Sequence, residues 1–255
     1  MVERRVIFFD VGNTLLFPNR SRILAPIPEH LRPTLAHWQA LERRTKTEFD
    51  QRVQSGLVDH GFWWMFHDHL LDGLALDQIN LDGMGKSADK RQALLQALVA
   101  NTQNSANWDQ ILPGTREALG RIARSFRIAV ISNADGTIQQ VLSRCNIADC
   151  FESITDSGIV GVEKPRREIF EAALQSMNAP ADESLYVGDF YSVDFLGARE
   201  AGMQAVLLDI SGAYRDLANG SHSQAGRELP RVESLAQLEI WLKNLTPRQS
   251  YNSRT

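Results

Sequence analysis

Short apolar runs alternate with helical periodicity along most of the chain, and one long stretch breaks the alternation. The run inside "RVIFFD" (5–10) is apolar at every position from Val6 to Phe9, as in a strand buried on both faces of a parallel sheet. "RIAVIS" (127–132), "LYVG" (185–188) and "QAVLLD" (204–209) have the same character. Between them the apolar positions fall at helical spacing over 113–126, 137–147, 167–177 and 193–203. Strands alternating with helices of this length predict βαβ units and a parallel sheet. Residues 17–109 contain no such strand. The segments 33–56, 59–74 and 87–103 instead read as amphipathic helices ending near Gly or polar residues. The pattern therefore predicts an α/β core over 1–16 and 110–245, an all-helical insert over 17–109, and a polar, mobile tail over 246–255.

Composition narrows the class without changing that picture. The 255 residues are 43% hydrophobic and 23% charged, enough to bury a sizeable core. The formal net charge of −4 gives no reason to expect nucleic acid or an anionic membrane as partner, while leaving room for a small anionic substrate. The two cysteines, Cys145 and Cys150, match no metal-ligand spacing and read as ordinary reduced thiols. The first apolar run is too short for a signal sequence, and no run approaches the roughly 20 residues that span a bilayer, so a cytoplasmic location is expected. Oligomeric state is not legible.

In an open parallel sheet, ligands bind beyond the carboxyl ends of the strands. The first strand ends on Asp10. The second ends on Ser132, followed by Asn133. The third ends on Gly188 and Asp189, with Asp194 five residues on. Lys164, in "GVEKPRREIF", precedes a helix, with Pro165 suited to its start. Each has an ordinary explanation: an acid after a strand makes a turn or caps a helix, and a lysine lies on a solvated face. No structural rule requires all of them, in this order, at one sheet edge.

The stretches "FFDVGNTLL" (8–16), "VISNADG" (130–136), "GVEKPRREIF" (161–170) and "YVGDFYSVDFLGAREAGM" (186–203) resemble the haloacid dehalogenase-like hydrolase superfamily. The resemblance covers the core, and the helical insert occupies the position of that family's cap. It implies a Rossmann-like parallel-sheet core with a helical cap over its active edge. It also implies roles. Asp10 is the nucleophile, forming an aspartyl-phosphate that water hydrolyses. Mg²⁺ is held by the Asp10 carboxylate, the Gly12 carbonyl and Asp189, with Asp194 binding metal-bound water or orienting Lys164. Ser132 and the Asn133 amide bind phosphate oxygens. Lys164 neutralises charge on the phosphate and on Asp10. Thr14 pins the loop after Asp10.

Gly12 departs from the pattern. Efficient phosphatases of the superfamily carry a second Asp there, as general acid and then base, which is worth about 10²–10⁴-fold in rate. Three readings stay open: a Mg²⁺-dependent phosphatase of a small phosphorylated metabolite with reduced or specialised activity, a metal-independent 2-haloacid dehalogenase, and a phosphate-binding or regulatory protein that has lost turnover. No cap lysine stands out for the Schiff base of a phosphonate-cleaving variant. Candidates to replace the missing acid are Asp135 and, from the cap, His60, His67 or Asp68. Trp63 and Trp64 read as cap core. Arg20 and Arg22 read as solvated cations of the hinge.

Overall fold

The computed structural model describes residues 5–56, 61–74, 87–215 and 229–244. The tail expected over 246–255, and His60, lie outside them. The strands in chain order are β1 (Val6–Phe9), β2 (Leu16–Phe17), β3 (Gln110–Ile111), β4 (Arg127–Ser132), β5 (Ser153–Asp156), β6 (Ser184–Gly188), β7 (Gln204–Leu208) and β8 (Arg231–Val232). Six of them form one parallel sheet in the order β5-β4-β1-β6-β7-β8, so the strand carrying Asp10 is central. β5 and β8 escape the sequence pattern because one is a half-buried "SITD" and the other has two residues, both at the sheet's edges.

β1 is apolar throughout because both its faces are covered. Ile7 and Phe9 point into one core cluster, and Val6 and Phe8 into another. The first cluster is completed by Leu119 and Ile122 of a helix at Thr115–Ile122, by Ile138, Val141 and Leu142 of one at Ile138–Arg144, and by Leu238 and Leu242 near the end of the described chain. The second is completed by Ile169, Phe170 and Ala173 of the helix Arg167–Ser176 and by Ala198. The result is the three-layer α/β core the sequence predicts.

The insert packs around its own apolar cluster. In chain order its helices are α1 (Arg20–Ile23), α2 (Leu35–Gln54), α3 (Phe62–Asp72) and α4 (Ser87–Gln103). Trp38, Leu41 and Phe49 of α2 meet Phe62, Phe66, Leu70 and Leu71 of α3 and Leu94, Leu98 and Val99 of α4. Where the chain crosses between the units, β2 pairs antiparallel with β3, a ribbon too short to show periodicity. Asn19 N–H donates to the Asn107 carbonyl (2.7 Å), and Arg22 pairs with Asp109 (2.7 Å). Arg20 donates to the Pro33 carbonyl and stacks over Trp38 at 5.5 Å. Arg20 is therefore packed into the cap, while Arg22 is exposed, as a solvated cation should be, and also pairs across the hinge. Among the described residues, no helix is long and apolar enough to cross a membrane. Cys145 and Cys150 are unpaired.

Candidate active site

Asp10 is the residue just past β1, and its N–H continues the sheet ladder to the Val187 carbonyl (2.8 Å). That bond fixes the backbone and sends the carboxylate to the strand's C-terminal edge, where it is buried. One carboxylate oxygen, Oδ1, accepts from Lys164 Nζ at 2.6 Å. The other, Oδ2, lies 3.5 Å from Thr14 Oγ1, so the expected pinning by Thr14 is at the limit of a hydrogen bond. Burial raises the Asp10 pKa to about 6, against the opposing pull of Lys164.

Lys164 is held from both ends. Its N–H donates to Asn133 Oδ1 (2.8 Å), and Asn133 Nδ2 donates to its carbonyl (3.0 Å), so the Asn133 side chain clamps the backbone of the loop. Its ammonium donates to Asp10, to Tyr186 Oη (2.7 Å) and to Asp194 Oδ1 (2.7 Å). Three donors thus meet three oxygens. Burial opposes the charge, but Asp10 and Asp194 outweigh it and hold Lys164 protonated beyond the usual lysine range. Pro165 does not open the following helix, which begins at Arg167.

Asp194 reaches this point through a π-helical turn, Tyr191–Leu196, in place of the regular helix predicted from 193. The turn folds the carboxylate back so that Asp194 Oδ2 accepts from the N–H of Asp189 (3.1 Å) and of Phe190 (2.9 Å). The close approach explains Gly188: a Cβ there would lie 2.5 Å from Asp194 Cγ. Asp194 is therefore an organiser of Lys164 and of the 188–190 turn.

Ser132 is the buried last residue of β4, at the same edge as Asp10. The loop after it is tied down by Asp156, which accepts from Gly136 N–H (3.0 Å) and Ile138 N–H (3.1 Å). Asp135 does not enter the site. It accepts from Thr137 and from the Ser105 N–H (3.0 Å), bracing the end of the insert. The cap candidates fail likewise. His67 is fully buried in the cap core against Trp38, Trp63 and Phe66, and Asp68 pairs with Arg91 at 2.5 Å. Trp64 is exposed, whereas Trp63 packs edge-on against Trp108 at 5.4 Å and bridges cap and core. Trp108 also lies over Gly12. A Cβ there would stand 3.4 Å from Trp108 Cζ3, an ordinary van der Waals contact, so the indole is the neighbour that a side chain at position 12 would meet.

One carboxylate oxygen from each of Asp10, Asp189 and Asp194 lies within 4.8 Å of the others. The N–H groups of Thr14, Leu15 and Leu16 all bond to the Val11 carbonyl, leaving that of Gly12 out of the turn's ladder. Clustered hard oxygens with excess negative charge suit a hard divalent cation such as Mg²⁺. These residues fit one.

The cap supplies what sequence reasoning missed. Lys46 of α2 is buried with its ammonium on Asp189 Oδ2, 3.3 Å from Glu42 Oε1 and 5.0 Å from the centre of the Phe190 ring. Burial disfavours its charge, but Asp189 and Glu42 hold it protonated well above the usual lysine range. Burial also lifts the Asp189 pKa to about 7, with Lys46 opposing. A cap lysine therefore does reach the site, but as a held cation; the neutral amine that Schiff-base chemistry requires is disfavoured. One helical turn on, Asp50 accepts from the Ser192 N–H (2.9 Å) and the Tyr214 hydroxyl (2.6 Å), which in turn accepts from the Tyr191 N–H (3.2 Å). The signal was present in α2: Glu42, Lys46 and Asp50 recur every four residues among the buried Trp38, Leu41 and Phe49. Charges in the apolar stripe of an amphipathic helix need partners on the neighbouring unit.

A family model described as haloacid dehalogenase-like hydrolase matches residues 4–202. The chain is 31% identical over 147 residues to haloacid dehalogenase-like hydrolase domain-containing protein 3 of Xenopus laevis, covering 57% of each chain. It is 35% identical over 121 residues to a glyceraldehyde 3-phosphate phosphatase of Methanothermobacter thermautotrophicus, covering 46% of this chain and 51% of that one. The matched stretch thus spans little more than half the length of either relative. Among solved structures, the magnesium-bound putative HAD-hydrolase YfnB of Bacillus subtilis superposes with a TM-score of 0.64 at 17% identity, covering 94% of this chain and 99% of that one, a likeness of fold. With the family model spanning both the Asp10 strand and the Asp189–Asp194 turn, the chain belongs to the haloacid dehalogenase-like hydrolases.

Proposed function

We propose that this hydrolase is a Mg²⁺-dependent phosphatase of a small phosphorylated metabolite, working through a phosphoryl group carried on Asp10. One observation carries the reading: a buried carboxylate at the end of the central strand has one oxygen held by Lys164, the other nearly free, and two further carboxylates beside it. Relatives named as glyceraldehyde 3-phosphate phosphatases support phosphate-ester chemistry. In this reading Asp10 Oδ2 attacks phosphorus and the bond from phosphorus to the leaving oxygen breaks. Water then attacks the same phosphorus, releasing phosphate and restoring the carboxylate. Lys164 keeps Asp10 ionised and oriented, and Asp194 and Tyr186 keep Lys164 in place. Ser132 and the Asn133 amide receive the phosphate oxygens. Asp10, Asp189 and the Gly12 carbonyl would hold the metal, with Asp194 behind them; bound Mg²⁺ would neutralise charge on the transferring group. Gly12 offers no proton to the leaving oxygen, so esters with weakly basic leaving groups react fastest. A cytoplasmic location fits such a substrate.

The test is a panel of phosphate monoesters and 2-haloacids, each assayed with Mg²⁺ and with chelator. Phosphate release that needs Mg²⁺ and falls about 10⁴-fold or more in Asp10→Asn is expected. A second reading, a metal-independent 2-haloacid dehalogenase, has one observation in its favour: the Lys46 ammonium supplies a positive charge at Asp189. Halide release insensitive to chelator would establish that reading and end the first.

A further inference from the structure

We propose that Lys46 and a divalent cation are alternative partners of Asp189, so that metal binding competes with the cap's attachment to the core. The inference rests on the metal reading of the site and goes beyond it to the cap.

Beside the edge-on contact of Phe49 with Phe190 (5.8 Å), the α2 face that meets the core is built from charged and polar side chains. Arg43 donates to the Ser211 carbonyl (3.3 Å), Lys46 binds Asp189, and Asp50 takes the Ser192 N–H and the Tyr214 hydroxyl. Positions 43, 46 and 50 follow the helical repeat, so one stripe of one helix makes all these contacts. Of the contacts, only that of Lys46 goes to a member of the three-carboxylate cluster.

Lys46 is well placed to be displaced. Its ammonium sits on Asp189 Oδ2 and is 3.5 Å from the Asp189 carbonyl, with a second carboxylate, Glu42, on its own helix. Glu42 moves with Lys46, so withdrawal from Asp189 does not strand a bare buried charge. Lys164 has no such freedom. It is clamped by Asn133 and shared among Asp10, Tyr186 and Asp194, all on the core. A divalent cation bound to Asp189 would face the Lys46 ammonium across a few ångströms of buried space. Like charges at that distance, poorly screened, repel strongly. The cheapest relief is for Lys46 to retreat, and with it the stripe of α2 that carries Asp50. By linkage the coupling runs both ways: the attached cap weakens metal binding as much as the metal weakens attachment.

The experiment measures binding, with no substrate present. Mg²⁺ titrated calorimetrically into wild type and Lys46→Met is expected to bind the variant about tenfold more tightly, within the usual range of such couplings. Lys46→Gln, which keeps a polar side chain and loses the charge, serves if Lys46→Met fails to fold. Asp189→Asn removes binding in each background. In wild type alone, saturating Mg²⁺ is expected to speed amide exchange of Tyr191 and Ser192, whose N–H groups bond to Tyr214 and Asp50. Equal or weaker Mg²⁺ affinity on removal of the lysine, or exchange that slows or stays unchanged in wild type, overturns the competition while leaving the metal reading intact. Absence of binding to every protein overturns both.

Discussion

One buried lysine of this site comes from the α/β unit and one from the helical insert, and they are wired differently. Lys164 comes from the core, with its backbone clamped by Asn133 and its ammonium satisfied by three core oxygens. Lys46 comes from the cap, with one partner on its own helix and one across the interface. The first belongs to a cluster made wholly of core residues. The second reaches the site across the contact between the insert and the core. A fixed cation suits a charge needed at every stage of a reaction, and a removable one suits a step that depends on closure.

The sharpest way to break this contrast is Lys164→Met. It strands Asp10 and Asp194 together, and a loss of about 3–5 kcal/mol is expected from leaving buried carboxylates without their counter-ion. Urea unfolding at pH 7, followed by circular dichroism, measures it. Lys46→Met is expected to cost less, about 1–3 kcal/mol, and unlike the core variant to regain stability in Mg²⁺. A variant equally sensitive with and without the ion would erase the distinction between the two lysines.

The domains also differ in their response to acid. His67, buried in the cap core, donates through Nε2 to Thr102 Oγ1 (2.7 Å), since Thr102 gives its own proton to the Leu98 carbonyl. Its Nδ1 has no partner among the described residues. Burial depresses its pKa to about 3. The unfolded chain takes up that proton below about pH 6.5 and the folded one does not, so this contribution to stability shrinks as pH falls from 6.5 toward 3. Asp10 works in the opposite direction: its raised pKa favours the folded state at low pH, and that advantage is lost as pH rises through about 6. His67→Gln, which keeps a donor near Nε2, is therefore expected to reduce the stability lost between pH 7 and pH 5 by about 2 kcal/mol. Equal losses in wild type and variant would mean the buried imidazole is not the acid-sensitive group. The smallest expected effect is at the latch. Asp50→Asn keeps one acceptor for Ser192 or Tyr214 and is expected to cost about 1 kcal/mol while speeding amide exchange at Tyr191 and Ser192. Protection left unchanged there would show that Asp50 does not secure the cap.

Most of the core was legible in advance because its elements bury simple patterns. β1, β4, β6 and β7 read as continuous apolar runs since both faces of the sheet are covered. Asp10, Ser132, Lys164, Asp189 and Asp194 stood out because chemistry-bearing residues at strand ends are visible in order. The two-residue β2, β3 and β8 and the half-buried β5 were not, since so few residues show no period. Asp135 and His67 misled for one reason: sequence proximity to a motif, or a plausible residue type, does not say which way a side chain leaves its helix or turn. Lys46 was missed for the converse reason. Its place among the apolar positions of α2 was visible, but only the neighbouring α/β unit shows the partner that lets it be buried.

The sequence by itself determined the family, the parallel sheet, the position of the helical insert and the row of polar residues at the carboxyl edge, because those follow from local periodicity and from motif order. It also determined the peculiarity at Gly12, since a missing side chain is visible without coordinates. What only the tertiary structure decided is how the charges are balanced. Trp108 lying beside Gly12, Asn133 clamping Lys164, and Lys46 reaching from the cap onto Asp189 each join residues far apart in the chain. A buried charge is tolerated only where a partner meets it in space, and that partner need not be near in sequence.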